Sequence, residues 1–192
     1  MLNRFAPVAL LLLAACGPTP AGPRPLEGAR IGGAFTLTNQ DGERVTDKSL
    51  ARKWALVYFG YTYCPDVCPT DFQNLVRGWQ AFEKTDPARA AKALPVFISV
   101  DPERDTPEAL RNFTRAFDPR AVGLTGTPAE IAAVAKAYGV VYRRGETTPG
   151  GGYLVDHSRG AYLMDPAGKP VALLPVDESA EKVAAELDRW MR

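Results

Sequence analysis

The stretch Trp54-Ala55-Leu56-Val57-Tyr58-Phe59-Gly60 is apolar without a break and rich in aromatic side chains. A half-exposed strand alternates, so an unbroken run of this kind suits a strand buried on both faces of a sheet. It leads into Tyr63-Cys64-Pro65-Asp66-Val67-Cys68-Pro69. Each cysteine precedes a proline, which disfavours the α conformation at the cysteine itself. The pattern predicts a cysteine loop, then a helix opening at Pro69 with Phe72, Leu75, Val76, Trp79 and Phe82 at helical spacing. At such a helix mouth the unpaired N–H groups and the positive end of the macrodipole favour thiolate over thiol.

The remaining chain alternates between the two periodicities. Residues 34–46 read as a hairpin turning near Asp41-Gly42, and Leu94 to Val100 as a second buried strand. Thr106-Pro107 opens a helix carrying Leu110, Phe113 and Phe117; Val122-Gly123-Leu124 is a short strand. Thr127-Pro128-Ala129-Glu130 is a capping box for a helix to about Tyr138. Val140 to Tyr142 then leads into a glycine-rich loop, Gly145 to Gly152, followed by Tyr153-Leu154-Val155-Asp156-His157. A hairpin over 160–174 turns at Asp165 to Gly168, and an amphipathic helix over 177–191 closes the chain. The expected fold is α/β, a mixed central sheet with helices on both faces and an added N-terminal hairpin.

The N-terminus bears on location. Residues 1–15 pair a weakly basic start at Arg4 with the apolar run Val8 to Ala15, too short to span a bilayer. Leu13-Ala14-Ala15-Cys16-Gly17 resembles the cleavage box of bacterial lipoproteins, which implies that Cys16 becomes a lipidated first residue. Residues 16–27, rich in proline and glycine, read as a semi-rigid tether, leaving 28–192 as one domain. The domain is expected to be exported, and the lipid would hold it at a membrane. Lys and Arg number 23 against 22 Asp and Glu, with no basic block, so nucleic-acid binding is unsupported.

With Cys16 assigned to lipid, Cys64 and Cys68 remain as a close pair. A disulfide between them would close only a short loop and remove little entropy from the unfolded chain. Chemistry is therefore the better reason for the pair. A strand, cysteine loop and helix resemble the thioredoxin arrangement, but thioredoxin-like oxidoreductases usually have two residues between the cysteines and a cis-proline opposite them. Here three intervene, and Val155 to Gly160 contains no proline but holds His157, the chain's sole histidine. Two thiolates and an imidazole suit copper; zinc in structural sites wants a fourth ligand, and none stands near these motifs. Asp156 either orients the imidazole or sits in solvent. Asp101 to Thr106, with three acidic groups and Arg104, could form a hard-metal site but reads better as a polar loop with a helix cap, since Thr106 and Pro107 already account for the helix start. Tyr61 and Tyr63 could shield a metal from water.

Four segments carry a wider resemblance: Phe59 to Thr70, Ser99 to Pro107, Gly123 to Thr127, and Asp156-His157-Ser158. In them the chain is similar to the Sco/SenC family of membrane-tethered, thioredoxin-like copper proteins. The resemblance implies Cys64, Cys68 and His157 as copper ligands and delivery of copper to the copper-A centre of cytochrome c oxidase subunit II. It also implies that the cysteines can form a disulfide, so that reductants and copper donors act upstream. The lipoprotein-like box departs from transmembrane members and points to a bacterial periplasmic location. A thiol-disulfide reductase serving the oxidase cysteines is the alternative. The loop from Arg144 to Gly152 is expected to lose motion when copper binds.

Overall fold

The computed structural model describes residues 22–147 and 151–192. The expected signal peptide, Cys16, the tether up to residue 21 and part of the glycine-rich stretch lie outside these residues. The chain runs β1 (Thr36–Asn39), β2 (Arg44–Thr46), β3 (Trp54–Gly60), α1 (Val67–Thr85), α2 (Pro87–Ala90), β4 (Ala93–Ser99), α3 (Pro107–Arg115) and β5 (Val122–Thr125). It continues through α4 (Pro128–Ala137), β6 (Tyr142–Thr147), β7 (Tyr153–His157), β8 (Ala161–Met164), β9 (Pro170–Leu174) and α5 (Ala180–Trp190).

Seven strands form one mixed sheet in the order β2-β1-β5-β4-β3-β8-β9. β3, β4 and β5 are mutually parallel, while β1 on one side and β8 on the other join antiparallel. β6 and β7 pair separately as a two-stranded antiparallel ribbon. Every residue of β3 is buried, as its unbroken apolar run requires. Successive side chains of a strand point to opposite faces, so β3 serves two cores. Tyr58 meets Phe72 and Phe97 on the face of α1 and α3, whereas Phe59 meets Tyr138 at the end of α4 and Tyr162 of β8. Helices thus cover both faces. Phe72, Phe97, Phe113 and Phe117 pack ring against ring at 4.7 Å (Phe97 to Phe113) and 5.3 Å (Phe72 to Phe97), contacts worth about 0.5–1.5 kcal/mol per pair beyond area burial.

The anticipated caps are in place. Thr106 accepts from the Ala109 N–H, and Thr127 with Glu130 completes a capping box, each before a proline in the first turn. Three boundaries differ from the sequence reading. α1 begins at Val67, so Cys68 lies in its first turn rather than on the loop. The first turn's N–H groups have no intrahelical partner, so Pro69 loses no bond there and the preference at Cys68 yields. Arg144 to Thr147 belong to strand β6 rather than to a free loop. The supposed tether is docked from Arg24 onward: its guanidinium pairs with Asp165 at 2.8 Å, and the Leu26 N–H donates to the Val171 carbonyl at 3.1 Å.

Candidate metal and thiol site

The site lies where β3 ends, α1 begins and β7 runs out. Cys68 is fully buried and Cys64 partly so, and both are free thiols. Cys68 Sγ stands 3.2 Å from His157 Nε2. Cys64 Sγ accepts the backbone N–H of Cys68 at 3.4 Å, which ties the loop cysteine to the helix mouth. His157 Nδ1 lies 3.0 Å from the Ser158 carbonyl, an acceptor, so Nδ1 carries the proton and Nε2 turns a lone pair toward the sulfur. Burial holds the imidazole below its ordinary value, keeping it neutral and able to ligate. Gly60 leaves room for this: a Cβ there would stand 3.2 Å from Cys68 Sγ and 2.8 Å from the Tyr58 ring.

The two thiols are not equivalent. Burial pushes Cys68 well above the usual thiol range. Desolvation acts the same way on Cys64, but backbone N–H groups of Asp66 and Cys68, with hydrogen bonds from Cys68 and Tyr61, outweigh it and hold that thiol low. The helix mouth therefore favours thiolate only at Cys64. Burial overrides it one turn away, at Cys68.

Aromatic rings enclose the imidazole. Tyr58 and Tyr61 meet it edge-on, with centroids 6.3 and 6.0 Å from its own. Tyr61 is buried, whereas Tyr63 is 56% exposed and lies under the Arg104 guanidinium at 4.9 Å. Of the two tyrosines expected to shield a metal, Tyr61 is the one packed against the site. Asp156 points elsewhere: its carboxylate pairs with Arg143 at 3.1 Å in exposed surroundings, and the partner of Nδ1 is the Ser158 carbonyl.

A partly buried network missed by the sequence reading adjoins the thiol and the imidazole. The Tyr58 hydroxyl donates to Asp71 Oδ2 at 3.1 Å, and Arg159 grips both carboxylate oxygens, Nε to Oδ2 at 3.0 Å and Nη2 to Oδ1 at 2.7 Å. Asp71 is fully buried on α1, and Arg159 lies two residues beyond His157. The only sequence signal was an aspartate on the apolar face of an amphipathic helix, next to Phe72.

Asp101 to Thr106 is structural, as expected. Asp105 accepts the Ser99 hydroxyl at 2.6 Å, and the Thr62 hydroxyl and N–H at 2.7 and 3.0 Å, fixing the loop before Cys64. Asp101 accepts the Tyr153 hydroxyl at 2.7 Å, and Arg104 donates to the Tyr153 carbonyl at 3.0 Å while stacking on its ring. Arg144 pairs with Glu103 at 2.8 Å, so the base of the β6–β7 ribbon is pinned to this segment.

A thioredoxin-like α/β domain with a cysteine pair facing a histidine is thus the class of protein that fold and site define. The SCO1/SenC family profile matches residues 23–192, and the chain belongs to that family. It is 41% identical over 163 residues to the mitochondrial SCO1 homologue of Homo sapiens, covering 84% of this chain and 53% of the human protein. The chain spans about half the length of the curated relatives it matches. A solved structure of Bradyrhizobium japonicum ScoI, described with copper bound, is 46% identical, with a TM-score of 0.74, over 83% of this chain and 99% of that one. The thioredoxin domain of a thiol-disulfide oxidoreductase from Bacteroides vulgatus shares the fold at 18% identity, with a TM-score of 0.58, over 83% of this chain and 94% of that domain.

Proposed function

We propose that this protein is a membrane-tethered copper metallochaperone that binds one copper ion through Cys64, Cys68 and His157. Its acceptor on this reading is the copper-A centre of cytochrome c oxidase subunit II, with copper donors and thiol reductants acting upstream. The 3.2 Å approach of Cys68 Sγ to His157 Nε2, with Cys64 tied to the Cys68 backbone, is the observation that carries it. Among the described residues no three His, Cys, Asp or Glu side chains stand in ready coordinating geometry. The 3.2 Å contact is a hydrogen bond, so loading would release the thiol protons and replace it by bonds from Cys64 Sγ, Cys68 Sγ and His157 Nε2 to the ion. Soft thiolates select Cu(I), and three protein ligands leave a position open for exchange onto an acceptor. Copper bound by Bradyrhizobium ScoI supports the metal, and membership of a family described as cytochrome c oxidase assembly proteins supports the oxidase. The lipoprotein-like box before Cys16 supports a periplasmic domain on a lipid anchor.

Copper titration of the reduced protein tests this. One ion per chain is expected, with sulfur and nitrogen ligation in X-ray absorption. Loss of a ligand in His157→Ala should weaken binding by more than the roughly 10–100-fold typical of outer groups. Uptake equal to that of a Cys64→Ala, Cys68→Ala double variant would end the proposal.

The inequality of the thiols favours a second reading, a disulfide reductase. Cys64 as thiolate would attack an oxidised cysteine pair of the oxidase, and Cys68 would resolve the mixed disulfide. This chain would then hold the Cys64–Cys68 disulfide, and the partner two thiols. Exchange needs no imidazole, so reduction of an oxidised subunit II peptide should survive His157→Ala.

A further inference from the structure

Cations are distributed unevenly over the domain. Around the site the arginines are neutralised: Arg104 by Asp101, Arg143 by Asp156, Arg144 by Glu103 and Arg159 by Asp71. At the opposite end of the sheet, where β3 begins, the exposed Arg30, Lys48, Arg52, Lys53, Lys92 and Lys169 have no ion-pair partner among the described residues. Four segments distant in sequence bring them together. The Trp54 N–H donates to the Lys92 carbonyl at 2.8 Å, and the Arg52 N–H to the Pro166 carbonyl at 3.0 Å, which joins the β3 entry to the β8–β9 turn. Acids here are outnumbered: Asp165 is taken by Arg24, Asp47 accepts the Phe35 N–H at 3.4 Å, and the exposed Glu27 lines the same groove as Lys169. The chain as a whole has a formal net charge of only +1, so the excess is local.

The N-terminal segment reaches the domain at the same end, its Leu26 N–H donating to Val171 beside Lys169 and Pro170. Cys16 precedes Gly22, the first described residue, by six positions, and six residues span at most about 20 Å. A lipid on Cys16 would hold this end, and not the copper site, at the bilayer. A lipid at the end of a tether fixes where the domain is but not which face it turns to the bilayer, and a basic surface at the tethered end would set that orientation.

We propose that this basic pole docks on the anionic headgroups of the membrane and orients the domain. β3 spans seven residues between pole and site, so the thiols and His157 would stand about 20 Å further out, facing away from the bilayer. The inference rests on the proposed anchor at Cys16.

Vesicle co-sedimentation of the mature chain from residue 16, carrying Cys16→Ser so that no lipid contributes, tests it. Phosphatidylcholine vesicles are compared with phosphatidylcholine–phosphatidylglycerol vesicles. Preferential partition into anionic vesicles is expected, weakening with salt and falling about fivefold for each basic residue lost. The Lys48→Gln, Lys53→Gln, Lys169→Gln variant should lose about a hundredfold, with unchanged circular dichroism and copper titration. Equal partition into both vesicles, or unchanged partition of the variant, overturns the proposal. If anionic vesicles show no preference while the variant still impairs oxidase assembly in cells, the pole reads an acidic protein surface instead, and the lipid proposal is overturned. The anchor is read separately, from the mass of Cys16 in the native membrane protein, and the metal site from copper uptake.

Discussion

Cys68 Sγ and His157 Nε2 stand 3.2 Å apart although 89 residues separate them in the chain. The contact joins the first turn of α1 to the last residue of β7 and makes the buried cysteine the partner of the imidazole. Cys64, one turn away, is left more accessible and with the lower pKa. The consequence is an order of reactivity. Iodoacetamide should modify Cys64 first, with a pH midpoint below the ordinary thiol value, because a lowered pKa yields thiolate at lower pH. Cys68 should react at least about tenfold more slowly, since both its burial and its raised pKa oppose attack. Peptide mass spectrometry over a pH series reads both rates, and equal labelling would contradict the assignment.

Arg159 and Asp71 clamp the far side of this contact. Their two-point ion pair holds the residues after His157 to α1, which also carries Cys68. Arg159→Ala leaves the Asp71 carboxylate with the Tyr58 hydroxyl and whatever water enters where the half-exposed guanidinium stood, at a cost of about 1–3 kcal/mol in stability. It should also weaken copper binding about tenfold through the loosened imidazole while leaving disulfide exchange at Cys64 unchanged. Denaturant melts, copper titration and exchange kinetics on one variant separate the three effects. A parallel loss of exchange would mean that the clamp supports the whole site rather than His157.

How far this site could be read without coordinates follows from its chemistry. Cys64, Cys68 and His157, the ligands proposed above, stand out in the sequence because thiols and imidazole are rare in this chain and are groups that suit copper, and the apolar run of β3 with its following helix fixes where the cysteines fall. Asp71 and Arg159 are common residues 88 positions apart, and only the antiparallel placement of β8 beside β3 brings them together. The inequality of the cysteines was equally hidden. It depends on α1 starting at Val67 and on burial, which outweighs the helix mouth at Cys68. The basic pole leaves no run in the sequence because it is assembled from loops contributed by separate segments.

Asp105 stabilises the approach to the site rather than its chemistry. It is fully buried, and burial raises its pKa, yet the Ser99 hydroxyl and both polar groups of Thr62 point at its oxygens. Asp105→Ala strands those donors and should cost about 2–3 kcal/mol, read as a lowered urea midpoint. The loop carrying Tyr61 and Tyr63 should loosen with it, seen as faster amide exchange at Thr62. Asp105→Asn, which keeps an acceptor and the shape, should recover part of the loss.

Acid stability should depend on Asp118. Hydrogen bonds from Arg120 hold its carboxyl down at about 2, helped by Gln80 at 3.0 Å, and Arg120 in turn lies 4.1 Å over the Trp79 ring and pairs with Glu83. A carboxylate whose folded pKa is depressed contributes stability above its unfolded value, near 3.9, and loses it as pH falls through the folded value. The window is therefore from about pH 4 down to about 2, and the contribution at neutral pH is on the order of 2 kcal/mol. Other depressed carboxylates titrate in the same range, Glu130 among them at about 2, so the difference between wild type and Asp118→Asn isolates this one. Urea unfolding at a series of pH values should show the variant weaker at pH 7, with the two curves converging toward pH 2. A constant offset across that range would place the stabilising action of Asp118 in packing rather than in its charge.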